Sequence, residues 1–524
     1  MRVRASLIAG LLFSAGGVAF LPLSAAAKNA PRVSVQREVH HDVSPRLRDM
    51  KPVPPAVGEH EEEPVRPLPV HLPPKGQRGD GAMQREVPGK LNTVDLLNFA
   101  GVGTGDYGFK PPGAPPDTNG AAGEAQYVQW VNDSFAVFDK KTGAKLLGPV
   151  TGKTLWQGFG GSCETNNDGD IIAQHDKIAK RWVMAQFAIE QTPYLECVAV
   201  SQSSDATGAW NRYAFDYGNS DFPDYPKIGV WPDAYYATYN IFHDKLFGGA
   251  KLCALDRLSM IAGLTATQQC YQLSSQYGGV LPADLDGAAP PPAGAPNYLL
   301  NFGANRLNLW KFHVDFIQPD NTRLTGPAAI TVASFSPVCG GRTCLPQKST
   351  TQQLDSIADR LMYRLAYRNF GDHESLVTDH SISSGGRSAV RWYELRDPGG
   401  TPTVFQQGTY IPGKTLWYWM GSAAMDKVGD LAVGFSTTSP NDFPSIGYAG
   451  RLLGDKPGTL RKHALTFKGR GSQINGLSRW GDYSAMSIDP VDDCTFYFTS
   501  EYLKASGSFN WSTRINSFRF PGCQ

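Results

Sequence analysis

The sequence predicts an all-β protein with a single β-propeller, for which seven blades are favoured and six are the alternative. Strand-like segments recur at a step of roughly 55 to 70 residues, the length of four short strands with their turns. Each unit begins with polar residues, continues as a short strand and reaches an acidic turn. The composition agrees, because 56 glycines, 38 prolines and 11% aromatic residues suit strands and tight turns better than helices.

Residues 1–27 have the pattern of a signal peptide. Arg2 and Arg4 form a basic start, an apolar run covers 7–21, and three alanines precede Lys28. No later apolar run approaches the roughly 18–20 residues of a membrane span, so we expect no transmembrane segment in the mature chain. The chain is therefore expected to be secreted or periplasmic, with a retained membrane anchor as the alternative.

The next segment, 28–90, is predicted to be a disordered leader or pro-segment. It is rich in Pro, Arg, Glu and His, and it has few apolar residues to offset the entropy lost on ordering. Its basic and acidic runs are interpreted as solvated rather than as binding sites.

The propeller domain is predicted to cover 91–524. The predicted second strands of its units begin near Tyr127, Trp182, Tyr235, Tyr298, Met362, Leu431 and Phe496. The fourth unit is the weakest, which is why six blades remain an alternative. The C-terminal strand at 514–520 is expected to complete the first blade and close the ring. A β-solenoid would need a shorter repeat, and a β-sandwich would not repeat the acidic turn.

Eight cysteines in an exported chain favour disulfide bonds over metal or redox sites. A zinc site is disfavoured because the chain has no Cys-x-x-Cys pair. Sequentially folded units would pair neighbours in chain order, although the sequence alone does not determine connectivity. The resulting hypothesis is Cys163–Cys197, Cys253–Cys270, Cys339–Cys344 and Cys494–Cys523.

Three stretches, 199–210, 354–364 and 478–490, together resemble a family of secreted bacterial β-propeller proteins grouped with the sialidase-like (BNR) propellers. The resemblance covers about 114–523 and implies the fold and export rather than a reaction. The stretch 203–210 is similar to the Asp-box turn, with one extra residue between Asp205 and Gly208. In that turn the Asp accepts backbone hydrogen bonds and the Trp, which is Trp210 in this chain, packs between sheets. No motif identifies the arginine triad and Tyr-Glu pair of a sialidase.

The formal net charge of +1 excludes a strong field that would recruit nucleic acid or an anionic membrane. The expected partner is an extracellular glycan or a cell-surface ligand, and we expect a monomer.

Each unit begins with polar residues that lie just before or at the start of its innermost strand. Because the innermost strand of each blade lines the central channel, these polar residues are expected to converge on one mouth of that channel. Paired carboxylates can divide acid and nucleophile or base roles, and a histidine can exchange protons. The catalytic candidates are Asp224, Glu374, Asp482 and His373. Adjacent strand residues face opposite ways, so only one of the neighbours His373 and Glu374 can face the channel. The ligand-binding candidates are Asp117, Asp170, Lys227, Arg360, Arg479 and Tyr483.

The same ring of carboxylates suits more than one function. A glycoside hydrolase acting on or binding carbohydrate through these carboxylates is favoured, and a noncatalytic glycan-binding or adhesion protein is the alternative. Several such oxygens at one point could also hold a hard cation, so Ca²⁺ is a candidate, although no cofactor is certain. A peptidase is disfavoured because no nucleophile elbow or helical zinc motif is present. Trp480 is expected to pack between blades.

Overall fold

The computed structural model describes residues 32–55, 61–76 and 79–524, so the predicted signal peptide lies outside the described residues. From Val33 onward the chain forms seven four-stranded antiparallel sheets in succession, which we call blades 1 to 7. Their innermost strands are neighbours in cyclic order, with the last beside the first. This closed ring confirms the prediction of an all-β propeller and its seven blades.

Each blade has four strands, which follow one another from the channel outward. In the order of blades 1 to 7, the innermost strands are Thr118–Ala122, Ile172–Asp176, Asp221–Val230, Leu281–Asp286, Met362–Asn369, Trp417–Met425 and Ala485–Ile488. The second strands are Gln126–Val131, Arg181–Ala188, Tyr235–His243, Asn297–Gly303, Glu374–Ser384, Leu431–Ser439 and Phe496–Leu503. The third strands are Ser134–Asp139, Tyr194–Ser201, Leu246–Leu255, Arg306–His313, Arg387–Arg396, Asp442–Arg451 and Trp511–Arg519. The fourth strands are Lys145–Thr151, Trp210–Gly218, Thr267–Gln272, Arg323–Thr331, Thr403–Tyr410, Ala464–Phe467 and Val94–Ala100.

Short helical turns occupy some of the connections. Two are α-helical, Gly161–Thr165 and Arg257–Ala262. The 3-10 turns are Leu47–Asp49, Asp106–Gly108, Gly152–Trp156, Pro319–Asn321 and Val338–Gly341. Blades 4 and 5 are joined at the channel, where Ala283 pairs in parallel with Leu365 and Asp286 with Arg368.

Ring closure differs from the prediction. The C-terminal strand Trp511–Arg519 is the third strand of blade 7, and its outer partner is the early strand Val94–Ala100. The N-terminal part of the propeller therefore completes the last blade, and the C-terminal strand does not complete the first. Blade 5 also differs, because Met362 begins an innermost strand rather than a second strand.

The described part of the predicted leader is ordered against the propeller, which corrects the expectation of disorder for these residues. Ser34–Arg37 pairs with Thr267–Gln272 as a fifth strand of blade 3, and His40–Val43 pairs with Trp210–Gly218 as a fifth strand of blade 2. Further along, Glu61–Glu62 pairs in parallel with Gly113–Ala114. The segment has few apolar side chains, but the exposed edges of the sheets supply hydrogen-bond partners for its backbone. The prediction of disorder considered only composition and therefore missed these backbone contacts.

The core lies between the blades. Second and third strands are buried along most of their length because each blade is covered on both faces by its neighbours, which explains their near-continuous apolar runs. Trp480 is fully buried, with its ring centroid 5.6 Å from that of Trp419, and its indole N–H donates to Ser436. Its expected packing role is confirmed.

The four predicted disulfide bonds, Cys163–Cys197, Cys253–Cys270, Cys339–Cys344 and Cys494–Cys523, are all present. The turn that resembles an Asp-box also forms as expected: Asp205 Oδ1 accepts from the Thr207 backbone N–H at 2.9 Å, and Trp210 is fully buried. No helix among the described residues is long and apolar enough to cross a membrane.

Candidate functional site

The polar residues that precede or open the innermost strands meet at one end of the channel. Asp117 and Asp170 stand just before their strands with φ of 42° and 45°, left-handed conformations that aspartate tolerates better than most residues. Asp224 lies within the innermost strand of blade 3, beside a bulge that separates it from Lys227. A cavity of about 520 Å³ opens at this end, and we call it the acidic mouth. Its lining includes Asp168, Asp170, Asp224, Arg360, Arg479 and Asp482, together with Glu63 and Arg66 of the leader.

Arg479 joins several parts of the acidic mouth. Its Nη1 lies 2.8 Å from Asp355 Oδ2 and 2.5 Å from Asp482 Oδ1, and its Nε donates to the Glu63 carbonyl at 2.9 Å. The backbone N–H of Asp482 in turn donates to Asp117 Oδ1 at 2.6 Å. This one buried guanidinium thus orients two carboxylates and the leader backbone.

Asp224 has a different set of partners. Its Oδ1 lies 3.1 Å from Nη1 of Arg66, whose guanidinium carbon stands 4.2 Å from the centroid of the Phe222 ring. The carbonyl of Arg66 accepts from Arg360 at 3.1 Å, and the N–H of Leu68 donates to Asp359 at 2.9 Å. The leader segment 61–76 is therefore held across part of the acidic mouth by both side-chain and backbone contacts.

Lys227 and Tyr483 are buried beside the cavity rather than on its surface. The Nζ of Lys227 stands 3.5 Å from the centroid of the Tyr225 ring and 4.1 Å from that of Tyr483. The Tyr483 hydroxyl donates to the Ile171 carbonyl at 3.0 Å. Both residues are at most 1% exposed and contact neighbouring residues of the mouth, and their expected direct contact with a ligand stays a prediction. Asp117 is likewise fully buried, next to Asp482.

The protonation of the acidic mouth follows from burial and from crowding of like charges. Burial, followed by the nearby Asp170 carboxyl, raises the pKa of Asp224 to about 7. Burial also raises the pKa of Asp117 and Glu63 well above their usual range, with nearby carboxyls acting in the same direction. Burial lowers the pKa of Lys227 to about 8. A carboxyl that titrates near neutrality can exchange a proton with a substrate, as a general acid must.

One buried carboxyl oxygen next to the acidic mouth is left without a hydrogen bond. Asp117 Oδ2 is buried and has no partner among the residues that the structure describes. Buried polar atoms normally have partners, so this atom is an exception, but Asp117 does not line the cavity.

His373 and Glu374 do not lie at the acidic mouth, which corrects the expectation that all ten candidates share one site. The innermost strand Met362–Asn369 runs away from the mouth for roughly 25 Å at about 3.3 Å per residue. Glu374 opens the following strand and therefore lies at the far end, where it accepts from the Tyr367 hydroxyl at 2.6 Å. His373 pairs there with Asp372 at 2.7 Å. The turn that joins Met362–Asn369 to the next strand lies at the end of the channel opposite the mouth. The sequence motif alone did not indicate at which end Glu374 lies.

The prediction did not include Glu63 and Arg66. Both belong to the leader, whose composition contains no signal for docking on a channel mouth. Within residues 32–55, 61–76 and 79–524, no group of three or more His, Cys, Asp or Glu side chains is arranged to hold a metal ion. The suggested Ca²⁺ therefore remains a prediction without assigned ligands.

Comparison with known proteins shows that the fold is similar to that of several solved structures, and it does not assign the chain to a family. No family model and no curated protein sequence matches the chain. Among solved structures, the chain is similar to the N-terminal domain of Nup159, at 8% identity and a TM-score of 0.35 over 84% of this chain and 100% of that one. It is similar to a polysaccharide lyase of the ulvan lyase family PL25, at 12% identity and a TM-score of 0.36 over 79% and 97% of the two chains.

A third similar structure is an exo-beta-1,3-galactanase from Clostridium thermocellum, at 10% identity and a TM-score of 0.31 over 69% of this chain and 80% of that one. These identities and TM-scores are too low to carry an argument about activity. None of these three structures is described as a sialidase-like propeller, so the resemblance to that family stays a prediction.

Proposed function

We propose that this protein is an exported carbohydrate-active propeller, a glycoside hydrolase whose substrate enters the acidic mouth. One observation carries the proposal: the carboxyls of Asp224 and Asp482 line the same cavity. Burial raises the pKa of Asp224 to about 7, and Arg479 pairs with Asp482. Glycosidases divide the reaction between one protonated and one ionised carboxyl in this manner.

In the proposed reaction, protonated Asp224 gives its proton to the departing glycosidic oxygen. The Asp482 carboxylate takes a proton from the water that attacks the anomeric carbon, so that one C–O bond breaks and another forms. Solvent then returns the proton from Asp482 to Asp224. Arg479 and Arg360 are proposed to bind substrate hydroxyls. Asp170 is proposed to help keep the pKa of Asp224 raised, and Asp117 to orient Asp482 by accepting from its backbone N–H.

Export and an extracellular glycan or cell-surface ligand belong to the same proposal. Four disulfide bonds support an oxidising location, either secreted or periplasmic. The turn at Asp205 is compatible with the resemblance to sialidase-like propellers, but it does not line the acidic mouth and has no part in the proposed reaction.

A noncatalytic glycan-binding protein is the second candidate. It is supported by the ion pairs at the mouth, because Arg66 already engages Asp224 and Arg479 already engages Asp482. Carboxylates held in this way can accept hydrogen bonds from sugar hydroxyls without any proton transfer.

Separate Asp224→Asn and Asp482→Asn variants, assayed for reducing ends released from a panel of polysaccharides, test the proposal. Each variant should lose turnover by about a hundredfold or more, the usual contribution of one acid or base. Asp372→Asn is the matched control, because this exposed carboxylate lies at the far end of the channel. Full turnover in both mouth variants would contradict the assignment, and glycan binding by the wild type without turnover would favour the second candidate.

A further inference from the structure

The acidic mouth already holds a cation supplied by the chain itself. The Arg66 guanidinium pairs with Asp224 at 3.1 Å and lies over the Phe222 ring, a combination of carboxylate and aromatic face that recognises positive charge. Phe222 in turn contacts Phe187, which lines the cavity, with ring centroids 5.8 Å apart. Arg66 belongs to the leader rather than to a blade, and its side chain remains about one-third exposed.

More acidic than basic side chains line the cavity. Seven carboxyl side chains line it against four basic ones, and Arg66 is one of those four. The mutual repulsion of these acids contributes to the raised pKa of Asp224 and Glu63, so part of the negative charge is neutralised by bound protons.

We propose that the saccharide bound at the acidic mouth carries a protonated amine, and that this ammonium takes the place of the Arg66 guanidinium between Asp224 and Phe222. This inference rests on carbohydrate binding at the acidic mouth, the part of the proposed function that both candidates share, because an ammonium paired with Asp224 keeps that carboxyl ionised and leaves it no proton to donate. It specifies the class of sugar as an amino sugar. An amino sugar offers an ammonium that can pair with Asp224 and an apolar ring face that can contact Phe222. Arg66 makes the same two kinds of contact with its guanidinium. The cavity volume lies within the range of sites for small ligands.

Calorimetric titration of the full chain with three oligosaccharides of equal length tests the proposal. The probes are a glucosamine oligomer, its fully N-acetylated counterpart and a uronic acid oligomer, compared at about pH 6, where the amine is protonated. The glucosamine oligomer should bind about tenfold or more tightly than the acetylated one, because a charge-assisted contact replaces a neutral one. The uronic acid oligomer should bind weakest. Titration in buffers of different ionisation enthalpy at about pH 6 should show a proton released from Asp224 as the ammonium binds.

Two variants locate the ammonium. Asp224→Asn should remove most of the preference for the amine and the proton release. Arg66→Ala should strengthen binding of the glucosamine oligomer, because the competing cation is gone, whereas Arg66→Lys should leave it near the wild-type value. Asp372→Asn is the control and should bind as the wild type does.

The outcomes separate this inference from the function on which it rests. Equal binding of the aminated and acetylated oligomers, or tighter binding of the uronic acid oligomer, would overturn the amino-sugar inference and leave a carbohydrate ligand in place. Absence of binding to all three, together with no turnover on the polysaccharide panel, would overturn both. Tighter binding of a lysine-rich peptide than of the glucosamine oligomer would also contradict the inference, since the cation would then not belong to a sugar.

Discussion

Replacing Asp224 with Asn should make the stability of the folded protein less dependent on pH. Burial and the Asp170 carboxyl raise the pKa of Asp224 from 3.8 to about 7. Between these values the folded protein keeps a proton that the unfolded chain has released, so the free energy of unfolding falls as the pH rises. About three pH units at about 1.4 kcal/mol each give an upper limit of about 4 kcal/mol for this side chain.

The assay is urea-induced unfolding, with the disulfide bonds intact, at several values between about pH 4 and about pH 8. Asn does not titrate, so the Asp224→Asn variant should lose less stability over this range than the wild type, by up to about 4 kcal/mol. Other carboxyls with a raised pKa, such as Asp355, act in the same direction in both proteins and cancel in the comparison.

Asp426→Asn is a matched control that shows whether a change in the pH dependence of stability by itself affects saccharide binding. Burial, followed by the Asp430 carboxyl, raises the pKa of Asp426 to about 7 as well, but it lies in the hairpin turn of blade 6. Its Oδ1 accepts from two backbone N–H groups at 3.0 Å, which an Asn oxygen can also do. The variant should therefore lose pH dependence and keep saccharide binding. Identical pH profiles in the wild type and Asp224→Asn would refute the raised pKa of Asp224 and its proposed role as the acid.

Three further changes test the framework around the acidic mouth. Arg479→Met should reduce the free energy of unfolding by about 3 to 5 kcal/mol, because it leaves the buried Asp355 carboxylate without its cation, and the loss in urea should shrink at acid pH. Replacing Cys494 and Cys523 together with Ser should cost about 3 to 4 kcal/mol, since the bond closes a loop with a sequence separation of 29, and an unchanged melting temperature would contradict this. Trp480→Ala should cost about 3 to 5 kcal/mol in the same denaturation assay, because the ring is fully buried between blades.

The features that depend on neighbours in sequence could be predicted without the structure. Strand alternation, turn residues and the long repeat are local, so six of the seven second strands were placed correctly, the exception being Met362. Disulfide pairing followed chain order because each bond joins residues within one blade or adjacent segments. The polar residues at the start of each unit also follow the repeat. For this reason Asp170, Asp224, Arg479 and Asp482 were expected at the same end of the channel.

The sequence by itself therefore determined the fold class, favoured seven blades over six, and indicated one set of polar residues just before or at the start of the innermost strands. Only the tertiary structure decided which end of the channel each residue faces, and it placed Glu374 and His373 at the far end. It also decided that the leader docks across the mouth and that Val94–Ala100 closes the ring. These contacts join residues that are far apart in the chain, such as Arg66 with Asp224. Their stability comes from unpaired sheet edges and uncompensated carboxylates that exist only once the propeller has formed.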